Sequence, residues 1–238
     1  MKKLVLSTAL LALSAGAAFA DTVRMGTEGA YPPYNFIDDN GEVAGFEREV
    51  GDALCTIAEL TCEWVTNEWD TIIPNLLSGN YDAIIAGMSI TDERDEVIDF
   101  TTDYYPPTAS AYVVMSEGVD LSSGVIAAQA STIQASHIAT TGATLVEFST
   151  LDDTIAAVKN GEVDAVFADK DALAPFVAEQ GFMFEGENVL LGGGIGIGLR
   201  ESDTELKAKF DAAIDAMKAD GSLNTLLVKY FGEDVITY

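Results

Sequence analysis

The order of apolar and polar positions divides the 238-residue chain into short segments that switch between two periods. "TVRMGTE", residues 22–28, reads as a strand that ends in a polar loop. In "GFEREVGDALCTIAEL", residues 45–60, Phe46, Val50, Leu54, Ile57 and Ala58 recur at helical spacing. "TCEWVT" is the next strand, "DTIIPNLLSGN" a helix closed by Gly79, and "YDAIIAG" a buried strand. Strands alternating with helices predict an α/β protein with parallel, doubly wound sheets.

Two stretches repeat this order. "SGNYDAIIAG" at 78–87 and "NGEVDAVFAD" at 160–169 each run helix, glycine, Asp-Ala, apolar strand, 82 residues apart. The helices before them are "WDTIIPNLL" and "LDDTIAAVK". Such repetition predicts two similarly built lobes, each with its own sheet and flanking helices. "YYPPTASAYVVM" at 104–115 and the glycine-rich "LGGGIGIGLR" at 191–200 are the expected crossings between them. Lobe one is then 21–107 plus 196–238, lobe two is 111–188, and the hinge segments are 108–110 and 189–195. The glycines at 194, 196 and 198 lack the spacing and strand-to-helix setting of a nucleotide loop. The tail from Asp203 onward reads as helix, turn, helix packed back on lobe one.

Composition narrows the function. "MKKLVLSTALLALSAGAAFA" has a basic start, a short apolar run and a small-x-small end, the pattern of a secretory signal peptide cleaved after Ala20. The apolar run is shorter than the roughly 20 residues a membrane helix needs, so an exported, periplasmic protein is expected. With 12 basic and 39 acidic residues the chain carries −27; without residues 1–20, and thus Lys2 and Lys3, the balance is 10 − 39 = −29. That charge argues against nucleic acid, whose binding rests on neutralised phosphates, and against an anionic membrane surface. It favours solubility and would raise the local concentration of cationic solutes; adaptation to salty surroundings is the other reading of the same charge. Cys55 and Cys62 are the two cysteines and are expected to form one disulfide, from the end of a helix to the following strand. The single histidine, His137, lies far from them, so neither a metal site nor a cofactor is expected.

Arg94 stands out in "TDERDEVI", a helix start with Thr91 as its cap. Its helical neighbours, Ile90, Thr91, Val97 and Ile98, include no acid. Arg94 reads either as a surface residue paired with Asp99 or Asp103, or as a bidentate clamp for a carboxylate.

"GTEGAYPPYNF…GEVAGFE", "NEWDTIIPNLLSGNYDAIIAGMSITDER…IDFTTDYY", "DAVFAD" and "GIGLRESDTELKAKFDAAIDAMKADGSLNTLLVKYFG" together resemble the periplasmic solute-binding proteins for polar amino acids. The resemblance covers nearly the whole chain after residue 20, includes the cysteine spacing, and lies nearest the branch that binds lysine/arginine/ornithine, histidine and opines. It implies a two-lobed binding protein that closes on a basic amino acid, arginine first, and delivers it to an inner-membrane ABC permease. A monomer is expected. Position by position, the resemblance implies that Arg94 holds the ligand's α-carboxylate, with Ser89 and Thr132 adding hydroxyl or main-chain donors. Asp169 and the Gly87 carbonyl would take the α-ammonium, Tyr31 and Trp69 would sandwich the side chain, and Glu28 would meet its cation. Ala86 and Gly87 stand where serines are common in that branch, and Ile133 stands where a polar residue is common. "EGAYPPYNF" is also similar to opine binders, so a larger arginine conjugate is a further ligand class.

Two other readings belong to different classes. The same fold hosts periplasmic dehydratases of cyclic acids, in which Glu28 or Asp169 would shuttle a proton. No Ser/His/Asp set, metal cluster or nucleophilic cysteine accompanies them in the sequence. A sensor domain would ordinarily be fused to a membrane-spanning segment.

Overall fold

The computed structural model describes residues 22–238. The expected signal peptide, its cleavage after Ala20 and the start at Asp21 lie outside the described residues. Two five-stranded sheets carry the fold. The first has the order Thr61–Thr66, Thr22–Thr27, Ala83–Ile84, Gly198–Leu199, Asp99–Phe100. The second has the order Thr144–Phe148, Val125–Gln129, Ala165–Asp169, Ala109–Val114, Met183–Leu190. In each, three strands are parallel, and the fourth runs antiparallel to its neighbours. The sheets are therefore mixed rather than wholly parallel. The antiparallel member is where the chain crosses between them, entering the second sheet at Ala109 and rejoining the first at Gly198.

The sequence repeat has a structural counterpart. Gly79 and Gly161 follow the helices Ile72–Leu77 and Leu151–Lys159 with φ of 78° and 71°, the left-handed region glycine adopts without strain. Asp82 and Asp164 then do the same thing in each lobe. The N–H of Asp82 donates to the Arg24 carbonyl and its carboxylate accepts from the Arg24 N–H; Asp164 stands in the same relation to Val125. Each aspartate thus pins the central strand to the parallel strand beside it. The strands that follow differ in length. The expected strand over 81–87 is regular only at Ala83–Ile84, although the Ile85 N–H still donates to the Gly26 carbonyl.

Helix Phe46–Ile57 buries Phe46, Val50 and Leu54 as its period requires, and Cys55 bonds to Cys62 in strand Thr61–Thr66. Ile57 does not follow the expectation and is 44% exposed. Period gives its direction, but at the last helical turn no neighbour arrives to cover it. Helices Thr204–Asp220 and Ser222–Phe231, separated by Gly221 at φ 79°, pack on this helix. Phe231 lies 4.9 Å from Tyr105, ring to ring, so the tail also braces the first crossing. The two crossings run side by side: the N–H groups of Tyr104 and Tyr105 donate to the Ile195 carbonyl, and the Ile195 N–H returns to Tyr105.

Candidate ligand-binding site

A cavity lies between the two sheets, where their parallel strands end, the place at which open α/β sheets form clefts. Glu28, Tyr31, Trp69, Gly87, Ser89, Arg94, Thr132 and Asp169 all line it. Ala86 and Ile133, noted in the sequence as departures from the branch's pattern, line it as well, as do Gln129 and Gln134, which were not singled out from the sequence. Gln129 ends strand Val125–Gln129 as Asp169 ends Ala165–Asp169, so the strand-end rule could have found it. Gln134 sits in the first turn of helix Ile133–Ala139 and carries no such signal.

Arg94 belongs to a single helical turn, Asp92–Asp95, capped by the Thr91 hydroxyl, which accepts from the Arg94 N–H at 3.2 Å. The cap turns the side chain inward. Its guanidinium donates to the Ser89 carbonyl at 2.8 Å and lies 5.4 Å from the Trp69 ring. No carboxylate pairs with it among the described residues: Asp99 and Asp103 are engaged by Lys207 and Lys218 instead. Burial lowers its pKa to about 10, opposed by the nearby charges of Asp169 and Glu93. A guanidinium held this way keeps unsatisfied N–H groups in a fixed fork, and a planar oxyanion matches that fork.

Asp169, 8% exposed, faces it from the other lobe. Its carboxylate accepts from the Tyr31 hydroxyl at 2.8 Å and from Gln134 Nε2 at 2.8 Å. Burial raises its pKa to about 6, against the lowering effect of the Tyr31 hydrogen bond. Tyr31 therefore serves the site through its hydroxyl as well as its ring. Trp69 spans the cleft too, its Nε1 donating to the Ser131 carbonyl at 3.3 Å. Trp69 covers Arg94, and Tyr31 stacks on Tyr34.

Glu28 is half-buried at the far end and accepts from Gln129 Nε2 at 2.5 Å. Burial raises its pKa to about 7, the Gln129 hydrogen bond pulls it down, and the carboxylates of Glu68 and Glu47 push it up. Thr132 caps helix Ile133–Ala139: its hydroxyl donates to the Gln129 carbonyl at 2.7 Å and accepts from the Ala135 N–H at 3.1 Å. With its one proton committed, the donors left on that side are main-chain N–H groups of the first turn. Ser89 contributes its carbonyl to Arg94. Gly87 sits at φ +64°, a left-handed conformation in which a serine would be strained, although a Cβ there would make only ordinary contact with the Tyr31 ring at 3.4 Å. His137 stands outside the cavity with its ring 5.3 Å from Phe167. No cluster of metal-ligating side chains occurs among the described residues, and none of their helices is long and apolar enough to cross a membrane.

An L-arginine-binding protein of Pseudomonas aeruginosa is 37% identical over 257 residues, covering 99% of this chain and 98% of that protein. The lysine/arginine/ornithine-binding periplasmic protein of Escherichia coli is 32% identical, covering 99% of each. A crystal structure of a periplasmic His/Glu/Gln/Arg/opine family-binding protein from Silicibacter pomeroyi, in complex with lysine, is 70% identical with a TM-score of 0.89, covering 91% of this chain and 100% of that one. Residues 23–233 match the profile of one family across both sheets. The chain belongs to the bacterial extracellular solute-binding proteins, family 3.

Proposed function

We propose that this protein is the periplasmic substrate-binding component of an ABC amino-acid importer and binds a basic amino acid, arginine foremost. The observation that carries this reading is Arg94, half-buried and without a carboxylate partner among the described residues, opposite the buried Asp169 across one shared cavity. That pair complements a zwitterion. Arg94 and the N–H groups at the start of helix Ile133–Ala139 take the α-carboxylate. Asp169 and the Gly87 carbonyl take the α-ammonium, Tyr31 and Trp69 flank the side chain, and Glu28 meets its cation. The Pseudomonas relative supports arginine, and the lysine carried by the Silicibacter protein makes lysine the second candidate. Ornithine, histidine and arginine conjugates remain arms of the test.

The lobes close on the ligand about segments 108–110 and 189–195. The closed form is then handed to a membrane permease driven by ATP hydrolysis. The protein acts as a monomer, exported and cleaved after Ala20. It is a receptor rather than a dehydratase, because its relatives are named for binding.

Hydrogen bonds to charged groups contribute about 1.5–3 kcal/mol each, so a few suffice for the roughly −8 kcal/mol of a micromolar complex. Titration calorimetry of Arg94→Ala with arginine checks the clamp: binding should be lost, and an unchanged Kd would overturn it. A thermal-shift screen of the twenty amino acids, ornithine, citrulline and opines identifies the ligand, which raises apparent stability by mass action. Consumption of prephenate or arogenate, followed by absorbance, would reverse the choice between receptor and enzyme.

A further inference from the structure

Lobe one presents its ligand groups from loops. Glu28 follows strand Thr22–Thr27, and Gly87 lies beyond Ala83–Ile84. Both loops are tied to one side chain outside the cavity lining. Glu47, in the first turn of helix Phe46–Ile57, is fully buried and forms no ion pair with the described residues. Its Oε1 accepts from the Gly87 N–H at 2.6 Å and from the Tyr104 hydroxyl. Its Oε2 accepts from Asn35 Nδ2 at 2.7 Å, and Asn35 Oδ1 accepts from the Gly29 N–H at 2.7 Å. The helix start is itself anchored, because the Phe46 and Glu47 N–H groups donate to the Pro33 and Tyr34 carbonyls. Gly45 at φ 109° permits that approach; a Cβ there would lie 2.5 Å from the Tyr34 oxygen.

The chemistry fixes a direction. Burial raises the Glu47 pKa, while the hydrogen bonds from Tyr104, Gly87 and Asn35 pull it down and the helix N-terminus favours the negative charge; three donors converging on it suit the carboxylate, which only accepts. Asn35 must therefore turn its amide nitrogen to Glu47, which leaves its oxygen for Gly29.

We propose that Glu47 is a positioning residue for ligand recognition, setting the Gly87 carbonyl for the α-ammonium and, through Asn35 and Gly29, setting Glu28 for the side-chain cation. This rests on the function proposed above. One buried acid thereby fixes the spacing between two acceptors that the ligand must satisfy at once. Tyr104, its third donor, lies on the first crossing, so the same carboxylate references both acceptors to the joint between the lobes.

The relay separates from a merely structural role by exchanging its polarity. In Glu47→Gln an amide NH₂ opposes the Asn35 NH₂; if Asn35 flips, its NH₂ opposes the Gly29 N–H instead. The double variant Glu47→Gln/Asn35→Asp restores a donor opposite every acceptor with the same total charge. Calorimetry with arginine and with glutamine, beside thermal unfolding, reads the result. Glu47→Gln should fold, lose about tenfold or more in arginine affinity, as expected for one lost charged hydrogen bond, and show a narrower preference for arginine over glutamine. The double variant should recover most of both. A folded Glu47→Gln with wild-type affinity and preference would overturn the proposal, as would a folded double variant no better than the single one. If Glu47→Gln does not fold, Asn35→Ala cuts only the arm to Gly29: arginine should lose its preference, and an unchanged preference overturns the relay. Wild-type protein that binds no basic amino acid would instead overturn the function, and this inference with it.

Discussion

At the residue scale the site is a set of charges held in places they would not choose in water. Arg94 keeps its charge without a carboxylate, while Asp169 and Glu28 carry pKa values raised to about 6 and about 7, burial being the first cause for both. Because both carboxyls are raised, protonation stabilises the protein without ligand. That contribution is whole below the ordinary carboxyl range and is lost as pH climbs through 6 to 7. A cationic ligand needs the ionised forms, so its affinity runs the other way. Arginine binding should strengthen from pH 5 to pH 8, by at most about tenfold per pH unit for each carboxyl titrating. Calorimetry across that range in buffers of different ionisation enthalpy should also show protons released on binding near pH 6.5. Glu28→Gln should remove the upper part of the slope and cost arginine far more affinity than glutamine; equal losses for both ligands would end the assignment of Glu28 to the side-chain cation. Eight lining residues were legible because a resemblance named each position. Arg94 alone could be questioned from its own neighbours, since an arginine with no acid one helical turn away has to find a partner elsewhere. Gln129 was missed although its place at a strand end signalled it, and Gln134, Asn35 and Glu47 carried no signal. Amides and a helix-start acid are common on any surface, and only the fold turns these three inward.

At the scale of elements, the duplicated turn is the clearest case of local sequence dictating structure. Gly79 and Gly161 have nothing within 4 Å of where a Cβ would stand, so any penalty for a side chain there is conformational alone. Gly79→Ala and Gly161→Ala should each cost about 1 kcal/mol, the strain of a left-handed alanine, read as a lower midpoint in urea. A loss several times larger at one of them would show that the two lobes do not share the turn. This repeat could be read from sequence because glycine, Asp-Ala and an apolar run each answer a local demand. The antiparallel Gly198–Leu199 could not. Two residues give no period, and their pairing with Ile84 and Phe100 is decided by where the chain returns. Ile57 shows the converse, a correct period at a place where tertiary cover ends.

At the scale of the whole molecule, the net charge of −27 surrounds a cleft intended for cations. Such a field gathers counter-charged solutes and is screened within about 10 Å at 0.1 M salt. The association rate of arginine should therefore fall as salt is raised, while that of neutral glutamine stays level; stopped-flow tryptophan fluorescence reads both, since Trp69 lies in the cleft. Four side-chain contacts already bridge the lobes among the described residues: Tyr31 to Asp169, Gln129 to Glu28, Trp69 to the Ser131 carbonyl, and Tyr105 to Asp171. Their joint depends on the paired crossings at Tyr104–Tyr105 and Ile195. Two ribbons laced edge to edge behave like a strap: pliant when folded across its flat, stiff against twist and sideways shear. Movement of one half against the other is thereby narrowed to a single swing, and every bridging group should arrive at its mate on the same stroke. A transporter waiting at the membrane would then meet one reproducible silhouette rather than a family of half-shut forms.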